Sequence, residues 1–291
     1  MERVTLEQGA LHLDLLPALG GSIARLEWQA ENRTIPILRG TSAPREVLDV
    51  GCFPLVPYCN RIRGGRFRFR GREIELRPNM AGDPNPLHGQ GWTSGWSVEA
   101  LSDRSATLTF RHERDEWPWR YHARQRFTLA ADSLTVELSC SNMDDGAMPC
   151  GLGLHPYFPC RPLTRITTRV AHVWTVDEQV LPVERILAKD RYDPNAGPIC
   201  GRGLDNGYDG WSGEALIETP DAPFRLRMTS AEARFFQIYA PPTGALFVAE
   251  PVSHANAALN APEEEWDSLG LRVLAPGETM RLTMRLEVEP V

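Results

Sequence analysis

Four short segments of the sequence combine protonatable side chains with stiff backbone. Cys52-Phe53-Pro54-Leu55-Val56-Pro57-Tyr58-Cys59-Asn60-Arg61-Ile62 sets an Asn-Arg pair behind two prolines, and Pro86-Leu87-His88-Gly89 carries a histidine. Gly151-Leu152-Gly153-Leu154-His155-Pro156-Tyr157-Phe158 carries another, and Ala245-Leu246-Phe247-Val248-Ala249-Glu250-Pro251 ends an apolar run in a carboxylate that Pro251 is expected to stop from continuing. A lone histidine is usually structural, but His155 between Gly153 and Pro156 sits on backbone rigid enough to position an acid or a base. A carboxylate at the end of an apolar strand is costly to ionise, so its pKa and its strength as a base rise. A salt bridge from Glu250 to one of the many arginines is the alternative on this segment alone, and both readings stand open.

Other chemistries lack their residues. The basic side of the charge is thirty arginines against the single Lys189, which leaves Schiff-base and P-loop mechanisms without their amine, and no Gly-rich phosphate motif is present. The seven histidines, His12, His88, His112, His122, His155, His172 and His254, include no closely spaced pair of the kind a metal-binding barrel uses, so no metal and no cofactor is expected. A net charge of −7 argues against nucleic acid as a partner. Arg61 to Arg77 holds seven arginines, but most alternate with Phe67, Phe69 and Ile74 and read as the wet face of a hairpin.

The elements that must position these groups are strands. Leu11, Leu13 and Leu15 alternate with polar residues, and Phe67 and Phe69 lead through a turn at Gly71 to Ile74 and Leu76. The same period of two runs through Trp96, Val98 and Ala100 to Ala106, Leu108 and Phe110. It returns at Tyr121–Leu129, Leu134–Cys140, Phe224–Met228 and, most cleanly, Met280–Val288. Helical signals reduce to a short start at Pro262-Glu263-Glu264-Glu265-Trp266. Twenty-four Gly and twenty-four Pro favour turns, and no linker breaks the chain. The expectation is all-β: one large antiparallel β-sandwich over residues 1–291 with few short helices.

Six cysteines, Cys52, Cys59, Cys140, Cys150, Cys160 and Cys200, form no CxxC pair, and no apolar run approaches a membrane span. Reduced, mostly buried thiols in a cytoplasmic protein are expected, with no membrane partner.

Taken together, the segments resemble one family in order and spacing. Asn60-Arg61-Ile62, Leu87-His88-Gly89, His155-Pro156-Tyr157-Phe158, Leu204-Asp205-Asn206-Gly207-Tyr208, Gln237 in Phe236-Gln237-Ile238-Tyr239 and Glu250 are similar to the motifs of the aldose 1-epimerases, the galactose mutarotase family. The resemblance runs from the Gly20-Gly21 turn to the closing strand. It implies a galactose mutarotase-like supersandwich with a sugar cleft on one face, and a small-molecule aldose as partner. It further implies Glu250 as general base at the anomeric hydroxyl, His155 as general acid at the ring oxygen, and His88 as a second active-site histidine. Arg61, Asp205 and Gln237 match positions that hold sugar hydroxyls. Separately from the resemblance, a sugar's uncharged face calls for a stacking aromatic, such as Trp211 or Tyr208. Exchanging anomers asks for one proton removed from O1 and one added to the ring oxygen, which a carboxylate of raised pKa and an imidazole can do near neutrality.

This chain departs from the family pattern beside those positions, at Pro57-Tyr58-Cys59, Gln90, Pro159 and Pro251-Val252. The departures bear on the sugar more than on the reaction. The alternatives are a hexose-6-phosphate 1-epimerase, with Arg63 or Arg161 near enough in sequence to take the phosphate, and a non-catalytic sugar-binding protein. A monomer or homodimer is expected.

Overall fold

A computed structural model describes residues 2–30, 33–41 and 43–291. Two antiparallel sheets, of eleven and eight strands, hold most of the chain. The closing strand Thr279–Pro290 lies inside the smaller sheet between Ser133–Asn142 and Phe224–Thr229. Its alternation is the one read from the sequence: Met280, Leu282, Met284, Leu286 and Val288 are all buried. Four of them pair in register with Cys140, Leu138, Val136 and Leu134. Burying two such apolar rows against the facing sheet is the main stabilising term, at about 25 cal/mol per Å² removed from water.

Among the described residues the helical segments are six 3-10 turns of three residues each, one of them Glu263–Glu265 behind Pro262. Among the described residues no helix is long and apolar enough to cross a membrane. The arginine-rich segment forms the expected hairpin, Arg66–Phe69 on Arg72–Glu75, with Phe67, Phe69 and Ile74 buried and Arg66 paired to Glu75 at 2.8 Å.

Three expectations fail. The strand Ser97–Leu101 has no buried face, because it is the outer edge of its sheet and the core ends at Trp96. Pro251 does not stop its strand, which runs Leu246–Val252. Two of the six cysteines, Cys160 and Cys200, form a disulfide; forty residues apart in sequence, their Cα atoms lie 5.8 Å apart across two loops. The other four are free and buried.

The larger sheet positions the site. Its central strands run in the order Cys52–Leu55, Gly153–Pro159, Leu246–Val252, Phe235–Ala240 and Leu204–Asp209. One face, with Cys52, Leu154, Phe158, Phe236, Ile238, Phe247 and Ala249, joins the main core. The opposite face carries a second apolar cluster that includes Phe53, Trp92, Tyr157, Val248 and Val252. These strands are therefore buried on both sides, which is why their sequences do not alternate.

Candidate active site

On that second face, pairing between Gly153–Pro159 and Leu246–Val252 joins Gly153 to Val252 and resumes at Tyr157 and Val248. It lapses over 154–156 opposite 249–251. Each stretch contains a proline, Pro156 and Pro251, with no N–H to give to a ladder. His155 and Glu250 stand in this gap, with Nε2 of the imidazole 3.5 Å from Oε1 of the carboxylate. The other side of Gly153–Pro159 is tied to Cys52–Leu55, so His155 pairs with Phe53 and their rings stack at 4.4 Å.

Glu250 is 3 % exposed, and among the described residues no arginine lies within ion-pair distance of it. Burial raises its pKa well above the carboxylate range; Asp205 adds to the rise and Arg61 opposes it. Burial pushes His155 the other way, down to about 3, with the charge of Arg39 adding. Its Nδ1 is buried without a hydrogen-bond partner. Both effects favour the pair as a neutral unit holding one proton.

The second histidine is fixed by a backbone contact. Asn60 and His88 both adopt left-handed backbone, with φ of 59° and 60°, a conformation most residues avoid unless the surroundings impose it. The Asn60 N–H donates to His88 Nδ1 at 3.0 Å, and the His88 N–H donates to the Asn60 carbonyl at 3.0 Å. An Nδ1 that accepts leaves the proton on Nε2, so His88 is a neutral donor. Its pKa, held well below the usual value by burial, agrees. Gly89 next to it has φ +71°, and a Cβ there would sit 2.2 Å from the Val56 carbonyl, so no other residue fits.

Arg61 follows Asn60 with its Nε on Asp83 at 2.8 Å and its Nη1 on the Asn60 side-chain oxygen at 3.2 Å. Asp205 and Gln237 come from neighbouring strands, and Gln237 Nε2 donates to Asp205 Oδ1 at 2.9 Å. Burial lifts Asp205 to about 6, against the pull of Arg61 and Gln237.

All six residues singled out in the sequence, Arg61, His88, His155, Asp205, Gln237 and Glu250, line one cavity of about 620 Å³. That is room for a monosaccharide and ordered water. The two suggested stacking aromatics lie elsewhere. Tyr208 is fully buried on the core face, and Trp211 stacks on Phe236 at 4.5 Å with its indole N–H on Thr168. Trp92, Tyr157 and Tyr239 line the cavity instead. Arg63 is exposed and bonded to the Pro182 carbonyl, and Arg161 borders a different, small cavity. Sequence reasoning missed Arg39, which lines the wall beside Tyr157, and Asp83, which holds Arg61. Arg39 has no motif around it that could have announced it.

A family model described as aldose 1-epimerase matches residues 2–287. The Escherichia coli (strain K12) protein YphB is 35% identical over 295 residues, covering 98% of each chain. Among solved structures, one from Escherichia coli K12 described as a candidate aldose 1-epimerase superposes with a TM-score of 0.90 at 35% identity, covering 100% of this chain and 99% of that one. A galactose mutarotase-like protein from Clostridium acetobutylicum superposes with a TM-score of 0.86 over 99% of this chain and 95% of its own, at 18% identity, which speaks to the fold alone.

Proposed function

The chain belongs to the aldose 1-epimerase family, and from that premise we propose that it interconverts the α and β anomers of an aldose by acid–base ring opening. The observation that carries the reading is the buried Glu250–His155 contact, free of any arginine, on the floor of a sugar-sized cavity.

The roles are those the family resemblance implies, and the contact between Glu250 and His155 supports them. Glu250 removes the proton from O1 as the C1–O5 bond breaks and C1 becomes an aldehyde carbon. His155 gives a proton to O5, which becomes the C5 hydroxyl. Rotation about C1–C2 turns the other face of the aldehyde to O5, and the two transfers run in reverse. Glu250 as acid with neutral His155 and Glu250 as carboxylate with imidazolium differ only in where one proton sits. The reactive form is therefore reached inside the pocket, and the positive charge of Arg61 favours the carboxylate. The His88 Nε2–H donates to a sugar oxygen, Arg61 donates to hydroxyls, and Asp205 with Gln237 accepts from and donates to them. The enzyme needs no added metal or nucleotide for these steps. It acts on small sugars, not on nucleic acid or membranes, as a monomer or homodimer.

Freshly dissolved α-D-galactose or α-D-glucose, followed by polarimetry with and without the protein, tests the proposal. A decay no faster than the spontaneous one for every aldose tried would reject it.

A further inference from the structure

Arg39 is the cation of the cavity that ring opening does not use. Arg61 is matched by Asp83, whereas among the described residues no carboxylate lies within 4.0 Å of the Arg39 guanidinium. Asp49, an acid on its loop whose charge reaches Arg39 only from beyond ion-pair distance, accepts from the Arg45 N–H at 2.9 Å. Nη2 of Arg39 is bonded to the carbonyls of Leu48 and Val50, and its Nε is buried with no partner among the described residues. The guanidinium lies over the Tyr157 ring, 3.9 Å from its centre. A charge held partly out of water by two carbonyls and an aromatic face is under-compensated, and an anion arriving with a ligand would complete it.

Its place along the cavity says which part of a sugar it meets. Glu250 and His155 face each other across the gap in the ladder, and Tyr157 is two residues beyond His155 on the same face, the two ring centres 4.6 Å apart. The Arg39 N–H donates to the Tyr157 carbonyl at 2.7 Å, and the side chain is anchored on the segment leading into Cys52–Leu55, the side away from Glu250. The order is thus Glu250, His155, Arg39. In a pyranose the order of atoms is O1, C1, O5, C5, C6. With O1 at Glu250 and O5 at His155, the substituent on C5 is directed to Arg39. Asp205 is four strands away from Cys52–Leu55, about 19 Å across the sheet, so it does not repel a charge placed there.

We propose that the substrate is a hexuronate, an aldose whose C6 is a carboxylate held by Arg39; the inference rests on the anomer-exchange reading of the same cavity. One guanidinium suits a single negative charge. A phosphate dianion asks for a second cation, and Arg63 and Arg161 lie outside the cavity.

The test compares D-galacturonate and D-glucuronate with D-galactose, D-glucose and their 6-phosphates, reading anomer exchange by NMR at pH 7. The wild-type protein should favour a hexuronate over its neutral parent by about tenfold or more in kcat/KM. Arg39→Gln should lower the hexuronate value, through KM, at least tenfold more than the neutral one, and Arg39→Lys should recover part of it. A neutral sugar or a 6-phosphate preferred by the wild type overturns the proposal, as does an equal loss on both sugars in Arg39→Gln. The wild-type comparison stands even if Arg39→Gln fails to fold, since Arg39 also braces the loop at Leu48. If no aldose is turned over, the epimerase reading has failed on its own. Calorimetry then decides this inference: hexuronate binding tighter than that of the neutral sugar and dependent on Arg39 upholds it, and equal binding overturns it.

Discussion

Nε2 of His155 and Oε1 of Glu250 lie 3.5 Å apart in a chain of thirty arginines, none of which reaches that carboxylate among the described residues. A buried carboxylate is ordinarily matched by a cation. Here burial lifts one member and lowers the other, so the pair is matched by sharing a proton.

The pH dependence separates this pair from Asp205. With His155 down at about 3, the pair gains a second proton only at low pH, so protonation of His155 should put no limb in kcat between pH 7 and 5. Asp205, raised to about 6, is ionised above that pH and loses its charge below it, so kcat/KM should fall as the pH drops through 6. Asp205→Asn should lower the plateau and remove that fall. A limb in kcat near 6.5 would mean that His155 titrates like an exposed imidazole.

Arg61 and Asp83 are predicted to separate binding from stability. Arg61→Ala should raise KM by about tenfold or more, the loss of one charge-assisted hydrogen bond, and should also lower the melting temperature by leaving Asp83 buried and unpaired. Arg61→Ala combined with Asp83→Ala should recover part of the melting temperature and none of the KM. Recovery of both would make the pair purely structural.

Gly151 supports the Asn-Arg segment from beneath. The Cys59 N–H donates to His254 Nε2 at 2.9 Å, and His254 Nδ1–H donates to the Ala255 carbonyl at 2.7 Å. A Cβ on residue 151 would lie 2.0 Å from His254 Cδ2. Gly151→Ala should therefore displace the imidazole, costing about 1–3 kcal/mol in thermal or denaturant unfolding, and raise KM through the shifted Asn60 and Arg61. An unchanged unfolding midpoint would show that His254 yields without loss.

What the sequence made legible follows from burial. Thr279–Pro290 has one core face and one wet face, so its period of two could be read residue by residue. Leu246–Val252 and Gly153–Pro159 are covered on both sides, by the main core and by the cavity, and their continuous apolar character concealed where they end; hence the mistaken stop at Pro251. Six cavity residues were legible because they sit in short motifs whose order resembles a family. Tyr208 was open to correction from the sequence itself: three residues from Asp205 on one strand, it must face the opposite side. Arg39, Asp83 and the Cys160–Cys200 disulfide depend on contacts between segments far apart in the chain, which no local pattern records.

The central claim is that Glu250 takes the anomeric proton. Its most direct test is the rate of rotation decay, by polarimetry on one freshly dissolved anomer, for the wild-type protein and Glu250→Gln at matched concentration. Glutamine keeps the size and the hydrogen-bonding reach and cannot accept the proton. The account predicts a loss in kcat of about 10²–10⁴-fold, with sugar affinity and melting temperature nearly unchanged. A Glu250→Gln protein that unfolds readily yet retains full activity in its folded fraction would contradict it.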